Sequence, residues 1–317
     1  MKKIMIHHPH SYNKEDFPPL VMALGYFDGV HLGHNKVMQT AIGIAQEKGI
    51  KSAVMTFDPH PSVVLGHKHK HLQYITPLKE KVKQMEEIGI DYVLVVRFTS
   101  AFASLSPQEF IDEYVIGLNV QHVVAGFDYS YGKLGEGKME TMPFHSRDLF
   151  TQTTVEKLVN EYGEKVSSTL IREKINTGKV EQIPSLLGRW YTTSGTVIHG
   201  DKRGRKIGFP TANIEFDDDF LVPLKGVYAV RIHVNNTWHD GVCNIGFKPT
   251  FKNPDEYSLS IEVHILDFNR SIYGEEVLVE WHKRIRDEMK FSGIDQLIEQ
   301  IAKDKETAKE YFAKDLI

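Results

Sequence analysis

The sequence predicts an α/β domain on a doubly wound parallel sheet, followed by a small antiparallel β-barrel with a C-terminal helix. Three observations carry this. The first half alternates short apolar runs with helix-period segments, the second half carries period-two runs between turn signals, and the chain closes on a long amphipathic stretch. A length of 317 residues suits two domains rather than one core. The change of pattern near residues 183–190 sets them at 1–185 and 186–317.

In chain order, LVMALG (20–25), SAVMTF (52–57), DYVLVVRF (91–98) and HVVAGF (122–127) are continuous apolar runs, as strands covered on both faces require. Between them, residues 34–48 place Val37, Ala41, Ile44 and Ala45 on one helical stripe, and Gly49 supplies the stop. Thr76 as N-cap and Pro77 at the first helical position predict a second helix. Ser106, Pro107 and Glu109 have the spacing of a capping box. The resulting β-α-β order implies parallel pairing. Beyond residue 190, strands are predicted at 195–200, 227–234, 238–247, 258–268 and 276–282, with Asn235-Asn236 as a turn. In the closing helix Leu297, Ile298 and Ile301 are expected to lie on the barrel.

Hydrophobic residues at 41% and charged residues at 25% are globular proportions, so disordered and fibrous classes are excluded. A net charge of -4 provides no broad basic field, and no nucleic-acid partner is expected. Cys243 is the only cysteine, which excludes an intrachain disulfide and a thiolate metal cluster. The N-terminal MKKIMIHHPH lacks an apolar core, and no run of apolar residues is long enough to cross a bilayer. The expectation is a cytoplasmic protein without membrane contact; its oligomeric state is not legible.

Two stretches carry chemistry. GYFDGVHLGH (25–34) follows a strand and opens a helix, where small residues admit backbone to a phosphate and free N–H groups face it. His31 and His34 there either face a phosphate chain or decorate a surface loop. Lys165, Ser168, Thr169 and Arg172 gather hydroxyls and cations at another helix start. In the second half, GTVIHGDKRGRKIGFPTANI (195–214) joins a glycine- and cation-rich loop to Thr211 and Asn213, whose oxygens two residues apart suit Mg²⁺. The alternative is a barrel turn with solvated charges. Glu262 sits on the parity opposite Leu259, Ile261, Val263 and Ile265, so it faces either water or a site in which it acts as a base.

GYFDGVHLGH, TFDPHP (56–61), GFDYSYG (126–132) and SSTLIR (167–172) resemble the adenylyltransferase module of the bacterial bifunctional riboflavin kinase/FMN adenylyltransferases, or FAD synthetases. That resemblance implies a nucleotidyltransferase domain moving AMP from ATP to FMN with release of pyrophosphate. It also implies catalytic roles for His31, His34 and Arg172 at the ATP phosphates. Gly25, Phe27, Asp28, Gly33, Ser168 and Thr169 are implied around ATP, and His60, Pro61 and Asp128 near the flavin. Tyr26 departs from the Asn often found in the family. GFPTANI (208–214), GVYAVRI (226–232), NIGFKPTF (244–251), EVHILDF (262–268) and IYGEEVLVEWHKRIRDEMKF (272–291) resemble the riboflavin kinase module. By that resemblance Gly200, Thr211 and Asn213 bind ATP, Thr211 and Asn213 hold Mg²⁺, and Glu262 accepts the proton of the riboflavin 5′-hydroxyl. Asp287 stands where the family commonly has Pro, so no flavin contact is assigned to Arg286. The implied pathway runs from riboflavin to FMN to FAD. The alternative keeps adenylyl transfer and makes the barrel a flavin-binding or regulatory module.

Three patterns are read as decoys. GKLGEGK (132–138) matches seven P-loop positions, but Met139 replaces the Mg²⁺-binding hydroxyl and Pro143 interrupts a following helix; a mobile glycine loop beside the first site is expected. The histidines of HHPH and of GHKHKH (66–71) lack metal-site spacing. Asp217 to Asp219 reads as a solvated charge run.

Overall fold

We describe the protein from a computed structural model, in which residues 1–66, 72–200, 203–216, 219–249 and 257–314 are described. His67, His69, His71, Asp217, Asp218, Thr250 and Phe251 lie outside them. The chain forms two compact units, Met1–Ser168 and Thr169–Ile317.

In the first unit the strands are β1 (Lys2–Ile6), β2 (Leu20–Leu24), β3 (Lys51–Asp58), β4 (Tyr92–Arg97) and β5 (Val120–Gly126). A ribbon of β6 (Ser130–Tyr131) and β7 (Gly137–Lys138) follows, then β8 (Thr151–Val155). Among the described residues the main sheet has the order β1-β4-β3-β2-β5-β8, with every pair parallel. The chain winds from β2 through β3 to β4, then returns to place β5 on the other side of β2. The switch point therefore falls at β2, where doubly wound sheets bind ligands. Met22 and Leu24 enter one core and Val21 and Ala23 the other, which is why β2 is apolar throughout.

The helix after β2 spans Leu32–Lys48, two residues earlier than expected, and Gly49 ends it with φ +66°. Helix Leu78–Ile88 starts one residue later than expected: Pro77 takes the cap position and makes no side-chain cap bond. The capping box forms, with Ser106 N–H donating to Glu109 Oε2 at 2.7 Å and Glu109 N–H to Ser106 Oγ at 3.2 Å. The GKLGEGK stretch is the β6–β7 ribbon with one 3₁₀ turn between its strands, not a P-loop.

In the second unit β9 (Tyr191–Ile198), β10 (Ala212–Phe216), β11 (Gly226–Val234), β12 (Thr237–Pro249), β13 (Tyr257–Ile265) and β14 (Glu276–Arg286) close into an antiparallel barrel. Asn235 and Asn236 both take positive φ (46° and 62°), as a two-residue hairpin with type I′ twist demands. Trp281 is fully buried, donates from Nε1 to Thr193 Oγ1 at 3.1 Å, and meets the Tyr228 ring edge-on. The C-terminal helix, Ile294–Lys314, buries Ala308 and Phe312 against Val227, Ala229 and Val242. Leu297 and Ile301, expected to lie on the barrel, are half-buried and line a cavity together with the barrel residues Val227 and Val242. Residues 169–185, assigned to the first domain by sequence, are part of the second compact unit; there the Ile175 carbonyl accepts from the Leu224 amide at 3.1 Å.

Candidate active sites

The carboxyl end of β2 runs into a turn that few sequences tolerate. Phe27 and Val30 take φ of +59° and +43°, a region that costs a bulky or β-branched residue strain and clusters at functional sites. A Cβ on Gly25 would sit 2.8 Å from the Phe27 ring, and one on Gly33 would sit 3.1 Å from the His31 ring. Asp28 is buried, and its carboxylate accepts the backbone N–H groups of Thr76 (3.1 Å) and Ile75 (3.4 Å). Asp28, expected at ATP, thereby braces the turn.

The two imidazoles come together. His31 and His34 stack with ring centroids 3.5 Å apart, and Phe27 packs edge-on against His34. His31 Nδ1 accepts the His34 backbone N–H at 3.2 Å, capping the helix. An accepting Nδ1 places the proton on Nε2, so the neutral ring offers an N–H donor. Desolvation lowers His31 to about 4, outweighing the attraction of Asp28, and also holds His34 well below its ordinary value. Ser168, the first residue of helix Ser168–Asn176, donates from Oγ to the Asp28 carbonyl at 2.8 Å. Thr169 and Arg172 follow it in that helix as part of the second unit.

Of the residues implied near the flavin, His60 caps the short helix that begins at Pro61 by accepting the Ser62 N–H at 3.1 Å, and its ring meets Tyr26 edge-on at 4.3 Å. Asp128 is exposed and pairs with Lys165 at 2.5 Å. Sequence reading missed Lys81. Its side chain is 1% exposed, and Nζ donates to the Tyr26 carbonyl at 2.8 Å and Thr56 Oγ1 at 3.4 Å. Burial lowers its ammonium to about 8. The signal was available: Leu78, Lys81, Val82 and Met85 fall on one helical stripe.

In the barrel, Asn213 and Asn244 lie directly across from Glu262 on its two neighbouring strands. Opposed residues share a face, so the three side chains converge. Thr211 Oγ1 donates to Glu262 Oε2 at 3.2 Å and Ser260 Oγ to Glu262 Oε1 at 3.1 Å. His264 donates from Nδ1 to the Pro210 carbonyl at 2.8 Å, holding the Thr211 segment, and burial lowers its pKa. A Cβ on Gly200 would overlap the Asn213 amide, so this glycine admits Asn213 to the site.

Two cavities meet at Thr211. One, about 340 Å³, is lined by Phe209, Glu262, Phe291, Leu297 and Ile301. The other, about 520 Å³, is lined by Arg205, Asn269, Arg270 and Tyr273. Glu262 therefore lines a cavity. Arg286 borders the apolar cavity and is committed to Asp304.

An FAD synthetase family model matches residues 13–170, and a riboflavin kinase family model matches residues 187–312. The bifunctional riboflavin kinase/FMN adenylyltransferase of Bacillus subtilis (strain 168) is 54% identical over 99% of both chains. The chain belongs to the bifunctional riboflavin kinase/FMN adenylyltransferase family. Its Listeria monocytogenes member is 52% identical over 99% of both chains, and that of Escherichia coli (strain K12) 35% over 96% of both. The crystal structure of a macrolide-efflux protein from Streptococcus pneumoniae superposes with a TM-score of 0.87 at 34% identity, covering 98% of this chain and 99% of that one. No helix among the described residues is long and apolar enough to cross a membrane. Both family modules are present, so the matches support two activities over the alternative of an accessory barrel.

Proposed function

We propose that the family's two reactions divide between these sites, riboflavin phosphorylation at Glu262 and FMN adenylylation at His31 and His34. The observation that carries the first is the meeting of an apolar and an arginine-lined cavity at Thr211, beside a carboxylate. The apolar cavity suits an isoalloxazine and the arginine-lined one a triphosphate, and both have ligand-pocket volumes. Riboflavin's 5′-hydroxyl then attacks the γ-phosphorus between them. Glu262 takes the hydroxyl proton as the new O–P bond forms, and the bridging bond to the β-phosphate breaks to release ADP. Thr211 and Ser260 aim the carboxylate, and Asn213 and Asn244 flank the transferred group.

The donors here fit Mg²⁺. The Thr211 hydroxyl gives its proton to Glu262 and keeps its lone pairs for a cation, and the Asn213 amide supplies a second hard oxygen. When bound with ATP, the ion would offset charge on the phosphates.

At the first site the FMN phosphate attacks the α-phosphorus of ATP and pyrophosphate leaves, so no protein nucleophile is required. His31 donates from Nε2 to a phosphate oxygen where negative charge accumulates. Gly25 and Gly33 admit the phosphate chain. Arg172 and the hydroxyls of Ser168 and Thr169 are assigned to the same phosphates, and His60, Pro61 and Asp128 to the flavin. By function the division falls at 1–185 and 186–317. The activities suit the cytoplasm, where ATP is supplied.

Incubation with riboflavin, ATP and Mg²⁺ followed by flavin chromatography tests this reading. FMN and then FAD are expected. FAD from added FMN but no product from riboflavin would instead make the barrel a non-catalytic module.

A further inference from the structure

We propose that Lys81 is a positioning residue for adenylyl transfer, its buried ammonium holding the end of β2 against β3 and keeping a positive charge beneath the phosphate-binding turn. The inference rests on the first site as assigned above.

The geometry comes from three strands of contact. Tyr26 immediately precedes the strained turn, and Lys81 Nζ donates to its carbonyl at 2.8 Å. Thr56, buried in β3, donates to the same carbonyl at 2.8 Å and accepts from Lys81. The ammonium also lies 3.9 Å from the centroid of the Tyr26 ring, whose edge meets His60. One cation thus fixes the backbone that enters the turn and the ring that steadies His60.

The charge is the informative part. Both hydrogen-bond acceptors are neutral, and among the described residues Lys81 forms no ion pair with a carboxylate. Asp28 and Asp58 attract it only through space, and desolvation outweighs them. An apolar side chain of similar length would fill this seat without the penalty of a buried charge. An ammonium left partly uncompensated, within electrostatic reach of His34 at the carboxyl end of the central strands, is matched by an anionic ligand. ATP and FMN bring that negative charge.

Lys81→Met separates the role from folding. The variant keeps the bulk and removes the charge, so its thermal midpoint is expected at or above that of the parent. Its kcat/KM for FMN adenylylation is expected to fall at least about 30-fold, while riboflavin phosphorylation by the same preparation stays within about twofold, inside the range of positioning effects. Parent adenylylation should decline above about pH 8 as the ammonium loses its proton, and this limb should be missing in Lys81→Met. Asp28, Asp58 and His34 are the groups within electrostatic reach of the ammonium, and burial holds His34 well below that range. Adenylylation within threefold of the parent, or a loss of adenylylation that tracks a lowered midpoint, overturns the proposal. Should the variant not fold, a parent profile flat from pH 7 to 9 overturns it equally. His31→Ala is the control: if it too leaves adenylylation intact, the site assignment has failed rather than the role of Lys81.

Discussion

Asp304→Ala breaks the charged contact that seats the C-terminal helix on the barrel. Asp304 is 3% exposed and accepts from Arg286 Nε at 2.9 Å and Nη2 at 2.8 Å, with Gln300 Nε2 adding a third donor at 2.9 Å. Removing one partner of a buried ion pair costs about 3–5 kcal/mol, because the other charge stays behind. Arg286 is 17% exposed and still donates from Nη1 to the Asp287 carbonyl, so water and that bond relieve part of the loss and place it near the lower bound, about 3 kcal/mol. All three tryptophans (Trp190, Trp238 and Trp281) lie in the second unit, so their fluorescence follows barrel unfolding alone. For a slope near 2 kcal/mol/M the urea midpoint should drop by about 1.5 M. Arg286→Met with Asp304→Leu should recover most of it, since an apolar pair replaces the buried charges at little cost. Both residues border the apolar cavity, so Asp304→Ala should also raise the KM for riboflavin. A midpoint shift below about 0.3 M would mean that the pair carries no net stability and does not seat the helix.

Gly200→Ala should disable phosphorylation and spare adenylylation, because the added methyl displaces the Asn213 amide beside Glu262; we expect a loss of about tenfold or more in kinase kcat, read from initial rates of FMN formation. His31 gives a pH prediction. Its folded pKa of about 4 lies below the unfolded value, so the unfolded chain binds more protons between about pH 4 and 6.5 and stability is lost as pH falls through that window. From pH 7 to 4.5 the loss from this group is roughly 2 kcal/mol, and hydrogen exchange in helix Leu32–Lys48 should show it diminished in His31→Gln. An acid loss unchanged in that variant would assign the effect to other groups.

The parts of the fold that the sequence disclosed are those with one physical solution. β2 to β5 are covered on both faces, and continuous apolar runs of strand length admit little else. β1 and β8 sit at the edges of the same sheet with one side partly in water, so KKIMI and TQTTV carry no such run and passed unread. Strand order was not legible, because periodicity says which face is buried and nothing about the neighbour. The glycines and histidines of the first site stood out since that turn excludes bulk, as the close approach of Phe27 to Gly25 shows. Lys81 hid among the lysines of its helix, and Asn244 is ordinary until the barrel closes and sets it across from Glu262. Parity alone did not tell a cavity from bulk water, which left Glu262 with two readings.

Two separate chemistries on one chain can be silenced one at a time. Purified Glu262→Ala and His31→Ala should each be supplied with ATP, Mg²⁺ and either riboflavin or FMN, and the flavins resolved by chromatography. Glu262→Ala is expected to make FAD from FMN and nothing from riboflavin, a loss of roughly 10²- to 10⁴-fold in phosphorylation for a missing base. His31→Ala is expected to convert riboflavin to FMN and stop there. If either folded variant loses both reactions together, or keeps both, the account of two independent sites is contradicted.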